Sequence, residues 1–135
     1  MSKSELSDLS RINLTDNKDQ IINKIKKAKT DPMPMPDDLQ ELDKRPEAKN
    51  LLGIYSSLTN TTLEKSIENF SGKNFSEFKE SLSEILVNKI EPISIEIKKL
   101  LADQKYLDQI LLEGVEKANL IASKKIQKIK EIVGF

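Results

Sequence analysis

The sequence predicts an all-α protein, a helical bundle, on three observations. Apolar residues recur at spacings of three and four along most of the chain, helix-opening and helix-closing residues stand where that periodicity starts and stops, and alternating β-branched runs joined by hairpin turns do not occur. With 135 residues, 37% of them hydrophobic, the chain suffices for one modest core and is too short for two full domains.

Residues 1–14 hold few apolar groups and much Ser, Asp and Glu without a sustained period, and predict a mobile loop. Thr15-Asp16 supplies a helix-start signal, after which Ile21, Ile22, Ile25 and Ala28 share one face and the lysines around Lys24 and Lys27 the other, ending near Lys29. Pro32, Pro34 and Pro36 then forbid helix and predict an extended connector to about Lys44, with Met33 and Met35 packing loosely on the neighbouring core. Residues 15–45 are thus a short basic helix and a linker, and the bundle proper is expected over 46–135.

That bundle opens at Pro46, suited to the first helical position, with Glu47 at the positive end of the dipole and Leu51, Leu52, Ile54, Tyr55 and Leu58 as the buried stripe. Thr61-Thr62-Leu63-Glu64 reads as a capping box for a short helix carrying Leu63, Ile67 and Phe70 inward, and Gly72 as its C-terminal stop. The longest pattern runs from Asn74 to Asp103, through Phe75, Phe78, Leu82, Ile85, Leu86, Ile90, Ile93, Ile97, Leu100 and Leu101, with a kink or split expected near Lys89 to Glu91 because Pro92 removes a hydrogen bond. Asp103 caps a final helix whose inward stripe includes Tyr106, Leu107, Ile110, Leu111, Gly114, Ala118, Ile121, Ala122, Ile126 and Ile129. At about 100° per residue, Lys117, Lys124 and Lys128 fall along one edge of that stripe.

Composition removes several chemistries. The chain has no cysteine and no histidine, hence no disulfides, none of the usual zinc ligands, and no Ser-His or Cys-His pair. A net charge of zero leaves any nucleic-acid contact to local lysine clusters. No run approaches the length of a membrane span and the N-terminus is polar, so a cytoplasmic protein without membrane contact is expected. The Asn-x-Ser/Thr patterns at Asn13, Asn60, Asn69 and Asn74 are then incidental to composition.

Met1-Ser2-Lys3-Ser4 by itself is a short signal: a lysine between two serines suits phosphate oxygens and equally an ordinary solvated terminus. It is followed in order by Ser10-Arg11-Ile12-Asn13-Leu14, by residues 22–31, by Arg45-Pro46-Glu47-Ala48-Lys49-Asn50-Leu51-Leu52-Gly53-Ile54-Tyr55, by Phe70-Ser71-Gly72-Lys73, Phe78-Lys79 and Ile90-Glu91-Pro92-Ile93, and by Tyr106-Leu107-Asp108 through Gly114, Glu116, Lys117, Ala118 and Ala122 to Gly134-Phe135. With this ordered series the chain resembles, over essentially its whole length, the C-terminal portion of the tryptophan–tRNA ligase family.

The resemblance implies that Met1, Ser2, Lys3 and Ser4 are the tail of the KMSKS signature of class I synthetases and bind ATP, with Lys3 contacting its phosphates during adenylate formation. It implies ATP with Mg, L-tryptophan and tRNA(Trp) as the partners of the complete enzyme, a homodimer whose pairing surface lies largely in the nucleotide-binding half, and an anticodon-binding bundle after the loop. That half, with the His-containing HIGH signature, is expected to be missing, so this chain alone is expected to be inactive in catalysis and to retain binding at most. Lys24, Lys27, Lys117, Lys124 and Lys128 are the candidate tRNA contacts, although each cluster also suits a solvated helix face. A non-catalytic, stand-alone helical module that binds RNA or a partner protein is the alternative.

Overall fold

The computed structural model describes residues 7–134, and these are all-α: a 3-10 turn at Asp8–Ser10 followed by six α-helices, with no strand among the described residues. The chain divides into two compact units, Met1–Ile95 and Glu96–Phe135. Pro46, the boundary expected from the proline-rich connector, does not mark that division, because the elements before it enter the same core as those after it.

Helix α1 (Lys18–Lys27) is opened by Asn17. Asn17 Oδ1 accepts from the Gln20 N–H at 2.9 Å and Gln20 Oε1 from the Asn17 N–H at 2.8 Å, satisfying two of the donors a helix start leaves unpaired. The start at Thr15-Asp16 is therefore displaced by two residues, and Asp16 is free for another task. Ile21 and Ile25 are fully buried, whereas Ile22 and Ala28 are partly so. The connector is not structureless. Asp38 Oδ1 accepts from the Glu41 N–H at 2.7 Å and caps a five-residue helix, α2 (Leu39–Asp43), which buries Leu42. Before it, the Met35 N–H donates to the Lys73 carbonyl at 2.8 Å and the Gly72 N–H to the Met35 carbonyl at 3.4 Å. This pairing buries the Met35 side chain while Met33 stays exposed, so the two methionines part company.

Helix α3 (Pro46–Thr59) starts with its proline at the first helical positions and ends on Asn60 in the left-handed conformation (φ +54°). Its deepest residues are Ala48, Leu51, Leu52 and Ser56. Ile54, Tyr55 and Leu58 pack at the margin of the core. Helix α4 (Leu63–Phe70) is capped by Thr62, whose hydroxyl accepts from the Lys65 N–H at 3.3 Å; the cap lies one residue later than the Thr61 box, so no glutamate occupies the reciprocal position. Gly72 follows its end with φ +69°, a conformation that spares only glycine a Cβ penalty, as expected for a stop. The Ser56 and Ser66 hydroxyls, 2.7 Å apart, satisfy each other at the α3–α4 contact.

Helix α5 (Phe75–Ala102) continues through Pro92 without splitting. The bond that proline removes belongs to the carbonyl of Asn88, an exposed residue on which water can replace it. Phe75, Phe78, Leu82, Leu86 and Val87 close the core of the first unit against α1–α4. Phe70 and Phe78 meet edge to face at 4.9 Å, as do Tyr55 and Phe70. Beyond Ile90 the expected inward stripe loses its partner: Ile93 and Leu101 are exposed, and small Ser94 is the buried residue there.

In the second unit, Asp103 caps α6 (Gln104–Val133) through the Tyr106 N–H at 3.0 Å, and Gly134 (φ +85°) ends it. No residue of α6 is buried; Tyr106, Ile110, Leu111, Ile121, Ile126 and Ile129 are all exposed. Its periodicity predicted the helix correctly and its inward packing incorrectly, because a unit consisting of one helix and the end of another offers no opposing layer.

Candidate functional site

Met1, Ser2, Lys3 and Ser4 lie outside the described residues. The segment that follows them is built around one buried cation. Lys24, on the second turn of α1, is 4% exposed, and its Nζ lies 2.7 Å from Asp8 Oδ2 and 2.7 Å from Asp16 Oδ2. Asn13 joins the two carboxylates from the other side: its Nδ2 donates to Asp8 Oδ1 at 2.9 Å and its backbone N–H to Asp16 Oδ2 at 2.9 Å. Arg11 Nε approaches Asp8 Oδ1 at 3.3 Å. The Ser7 hydroxyl accepts from the Leu9 N–H and so starts the 3-10 turn that presents Asp8.

A buried ammonium is disfavoured by desolvation unless carboxylates meet it directly. Burial pushes Lys24 down, but the hydrogen bonds and charges of Asp16 and Asp8 outweigh it and hold the group above its ordinary value. Asp8 is correspondingly held below the usual carboxylate range, chiefly by the Lys24 hydrogen bond and then by Asn13. Lys24 therefore does not belong to an accessible basic edge. Its charge is already met by two carboxylates, and the tRNA contact expected of it is withdrawn.

A second clasp secures the connector. Arg45 is 8% exposed; its Nε and Nη2 grip Asp31 at 3.0 and 2.6 Å, Nη1 reaches Glu41 Oε1 at 2.8 Å, and the guanidinium stands 5.6 Å from the centre of the Phe75 ring. The fork-on-carboxylate bond to Arg45 holds Asp31 below the ordinary carboxylate range. Lys79, on α5, donates to the carbonyls of Ala28 at 2.7 Å and Lys26 at 3.3 Å, placing a positive charge at the negative end of α1. Burial lowers its pKa.

Of the remaining candidates, Lys27 is exposed and borders a hollow also lined by Ser10, Lys29, Glu47 and Asn50. Lys117, Lys124 and Lys128 are exposed on α6. Periodicity placed Ile21 and Ile25 inward correctly but put Lys24 on the outer face, whereas Lys24 is buried beside them; the clasp that permits this was not legible, since its partners lie eight and sixteen residues away, beyond any helical neighbour relation. Asp31, fourteen residues from Arg45, and Lys79, fifty-one from Ala28, were illegible for the same reason.

An N-terminal segment tied to a small α-helical core, with basic residues left on the outside, is the setting in which the comparisons with known proteins fall. The profile of the tRNA synthetases class I (W and Y) matches residues 1–90, and the chain belongs to that family. More particularly, it is similar to tryptophan–tRNA ligases from Agrobacterium fabrum (47% identical), Caulobacter vibrioides (44%) and Rickettsia felis (47%), each aligned over all 135 residues of this chain. It covers 38%, 39% and 40% of the length of those three relatives.

Proposed function

We propose that this chain is the C-terminal part of a tryptophan–tRNA ligase, beginning within the KMSKS signature, and that the complete enzyme joins L-tryptophan to tRNA(Trp) with Mg-ATP as the energy source. The observation carrying this reading is Met1-Ser2-Lys3-Ser4 at the head of a chain that resembles tryptophan–tRNA ligases from end to end. The all-α character of the described residues suits the portion after that signature, since a nucleotide-binding sheet needs strands. In this reading Lys3 meets the phosphate oxygens of ATP, with Ser2 and Ser4 beside it and Met1 in the same loop. The helices that follow face tRNA, and the remainder of the complete enzyme carries the tryptophan pocket and the homodimer surface.

The direct test is a chimera in which these 135 residues replace the matching segment of the Agrobacterium ligase. It is expected to support tryptophan-dependent exchange of pyrophosphate into ATP, whereas the isolated chain is expected to show none. A folded but inactive chimera would sink the reading.

The tRNA-facing surface is proposed to include Lys27 on α1 and Lys117, Lys124 and Lys128 on α6. Phosphate neutralisation releases counterions, so each lost contact weakens binding and flattens the salt dependence by about one unit of slope. Lys117→Glu combined with Lys124→Glu is expected to weaken tRNA(Trp) binding by the chimera and lower the slope of log affinity against log salt by about two. Unchanged affinity and slope would remove the α6 edge from the surface.

A further inference from the structure

We propose that the apolar face of α6 pairs with the same face of a second copy of this chain, the two helices running antiparallel about a two-fold axis at Ala118. This surface belongs to α6 alone, holds whether or not the chain is part of a ligase, and is separate from the homodimer surface that the family resemblance places in the rest of the complete enzyme.

Helix α6 repeats its apolar residues every eleven positions: Leu107, Ala118 and Ile129 form one column, Ile110, Ile121 and Ile132 a second, Leu111, Ala122 and Val133 a third. Eleven residues make three turns at about 3.67 residues per turn, so near the ordinary helical period that the columns stay on one side of the helix from end to end. Yet no residue of α6 is buried, and Ile121 and Ile132 are 70% and 77% exposed. A helix in water draws most of its stability from packing such a face, and a continuous exposed one marks an interaction surface.

The charges of α6 select the occupant and its direction. Before Ala118 the helix and its cap carry Asp103, Asp108, Glu113 and Glu116 against Lys105 and Lys117; after it come Lys124, Lys125, Lys128 and Lys130 against Glu131. Antiparallel pairing lays the acidic half of each copy on the lysine-rich half of the other, whereas parallel pairing sets lysines beside lysines. An anionic lipid surface would attract the lysines and repel the acidic half. The smallest side chains also stand at the midpoint. With the axis at Ala118, Gly114 meets the partner's Ala122 and Leu107 meets the partner's Ile129, so the helix axes can approach to about 8 Å. Lys125 interrupts the face, but its stem can lie along it while the ammonium reaches water. From Leu107 to Val133 the face is about 40 Å long and about 10 Å wide, roughly 400 Å² per copy, about half of what a tight interface buries on each partner. The pair is therefore a reversible dimer.

Sedimentation equilibrium of the 135-residue chain is expected to show a dimer with a Kd of about 1–100 µM. Ala118 is exposed in the single chain, so Ala118→Glu is expected to spare the monomer and, by setting two carboxylates face to face, to weaken the dimer at least about tenfold. Asp108→Lys combined with Glu113→Lys is expected to weaken it as well. Because the chain has no cysteine, introduced thiols read the direction of pairing. Under mild oxidation Ala118→Cys is expected to cross-link with itself, and Leu107→Cys to cross-link in a mixture with Ile129→Cys but not by itself. A monomer at concentrations up to about 1 mM, a dimer indifferent to Ala118→Glu, or Leu107→Cys linking to itself would each overturn the proposal. So would a chain that stays monomeric and binds phosphatidylglycerol vesicles, which would assign the face to a lipid surface. Should Ala118→Glu lose helix by far-UV circular dichroism, the cross-linking pattern decides by itself.

Discussion

Phe78→Ala is expected to remove a large share of the stability of the first unit. Phe78 is fully buried and stands at the meeting point of α3, α4 and α5, 4.9 Å from the Phe70 ring and 6.0 Å from Tyr55. Truncating a buried phenylalanine costs about 3–5 kcal/mol, the sum of lost transfer energy and the cavity left behind. A unit of this size is stable by only about 5–14 kcal/mol. The melting temperature should fall by roughly 15–30 °C. Phe78→Leu, which keeps most of the volume, should lose much less, and calorimetry or far-UV circular dichroism of the isolated chain reads both. Equal melting for Phe78→Ala and the parent would mean that the aromatic cluster does not organise this core.

Lys3→Ala in the chimera is expected to reduce the rate of tryptophan-dependent pyrophosphate exchange by about a hundred- to a thousandfold. Adenylate formation concentrates negative charge on the departing pyrophosphate, and a cation already aimed at those oxygens stabilises the transition state more than the ground state. The loss should therefore appear mainly in kcat, with the KM for tryptophan nearly constant. Ser2→Ala and Ser4→Ala should have smaller effects, because a neutral hydroxyl contributes less than a full charge. A Lys3→Ala chimera as active as its parent would remove Lys3 from the chemistry. Because Phe78→Ala is read from stability and Lys3→Ala from catalysis, each can fail without the other.

The stretches legible in the sequence are those in which local rules and tertiary packing agree. Pro46 at the start of α3, Gly72 after α4 and Asp103 before α6 stand at the expected points, because caps and turns are decided by neighbours a few residues apart. The start of α1 is ambiguous in the sequence, since Thr15, Asp16 and Asn17 are all good cap residues and only the fold shows that Asp16 is engaged by Lys24. α2 is not legible in the sequence because five residues carry too little periodicity to stand out beside three prolines.

Lys24 shows the limit most clearly. By itself the sequence determined that the protein is helical, where most of the helices begin and end, and that an ordered series of motifs resembles a synthetase family. Only the tertiary structure decided which charged groups are surface and which are anchors: Lys24, Arg45 and Lys79 engage partners far away in the chain, whereas Lys27, Lys117, Lys124 and Lys128 remain exposed. It also decided that no residue of α6 is buried, so most of its apolar stripe stays exposed. Helical periodicity depends on residues within two turns, whereas the fate of a charge or an apolar face depends on what the fold brings opposite it.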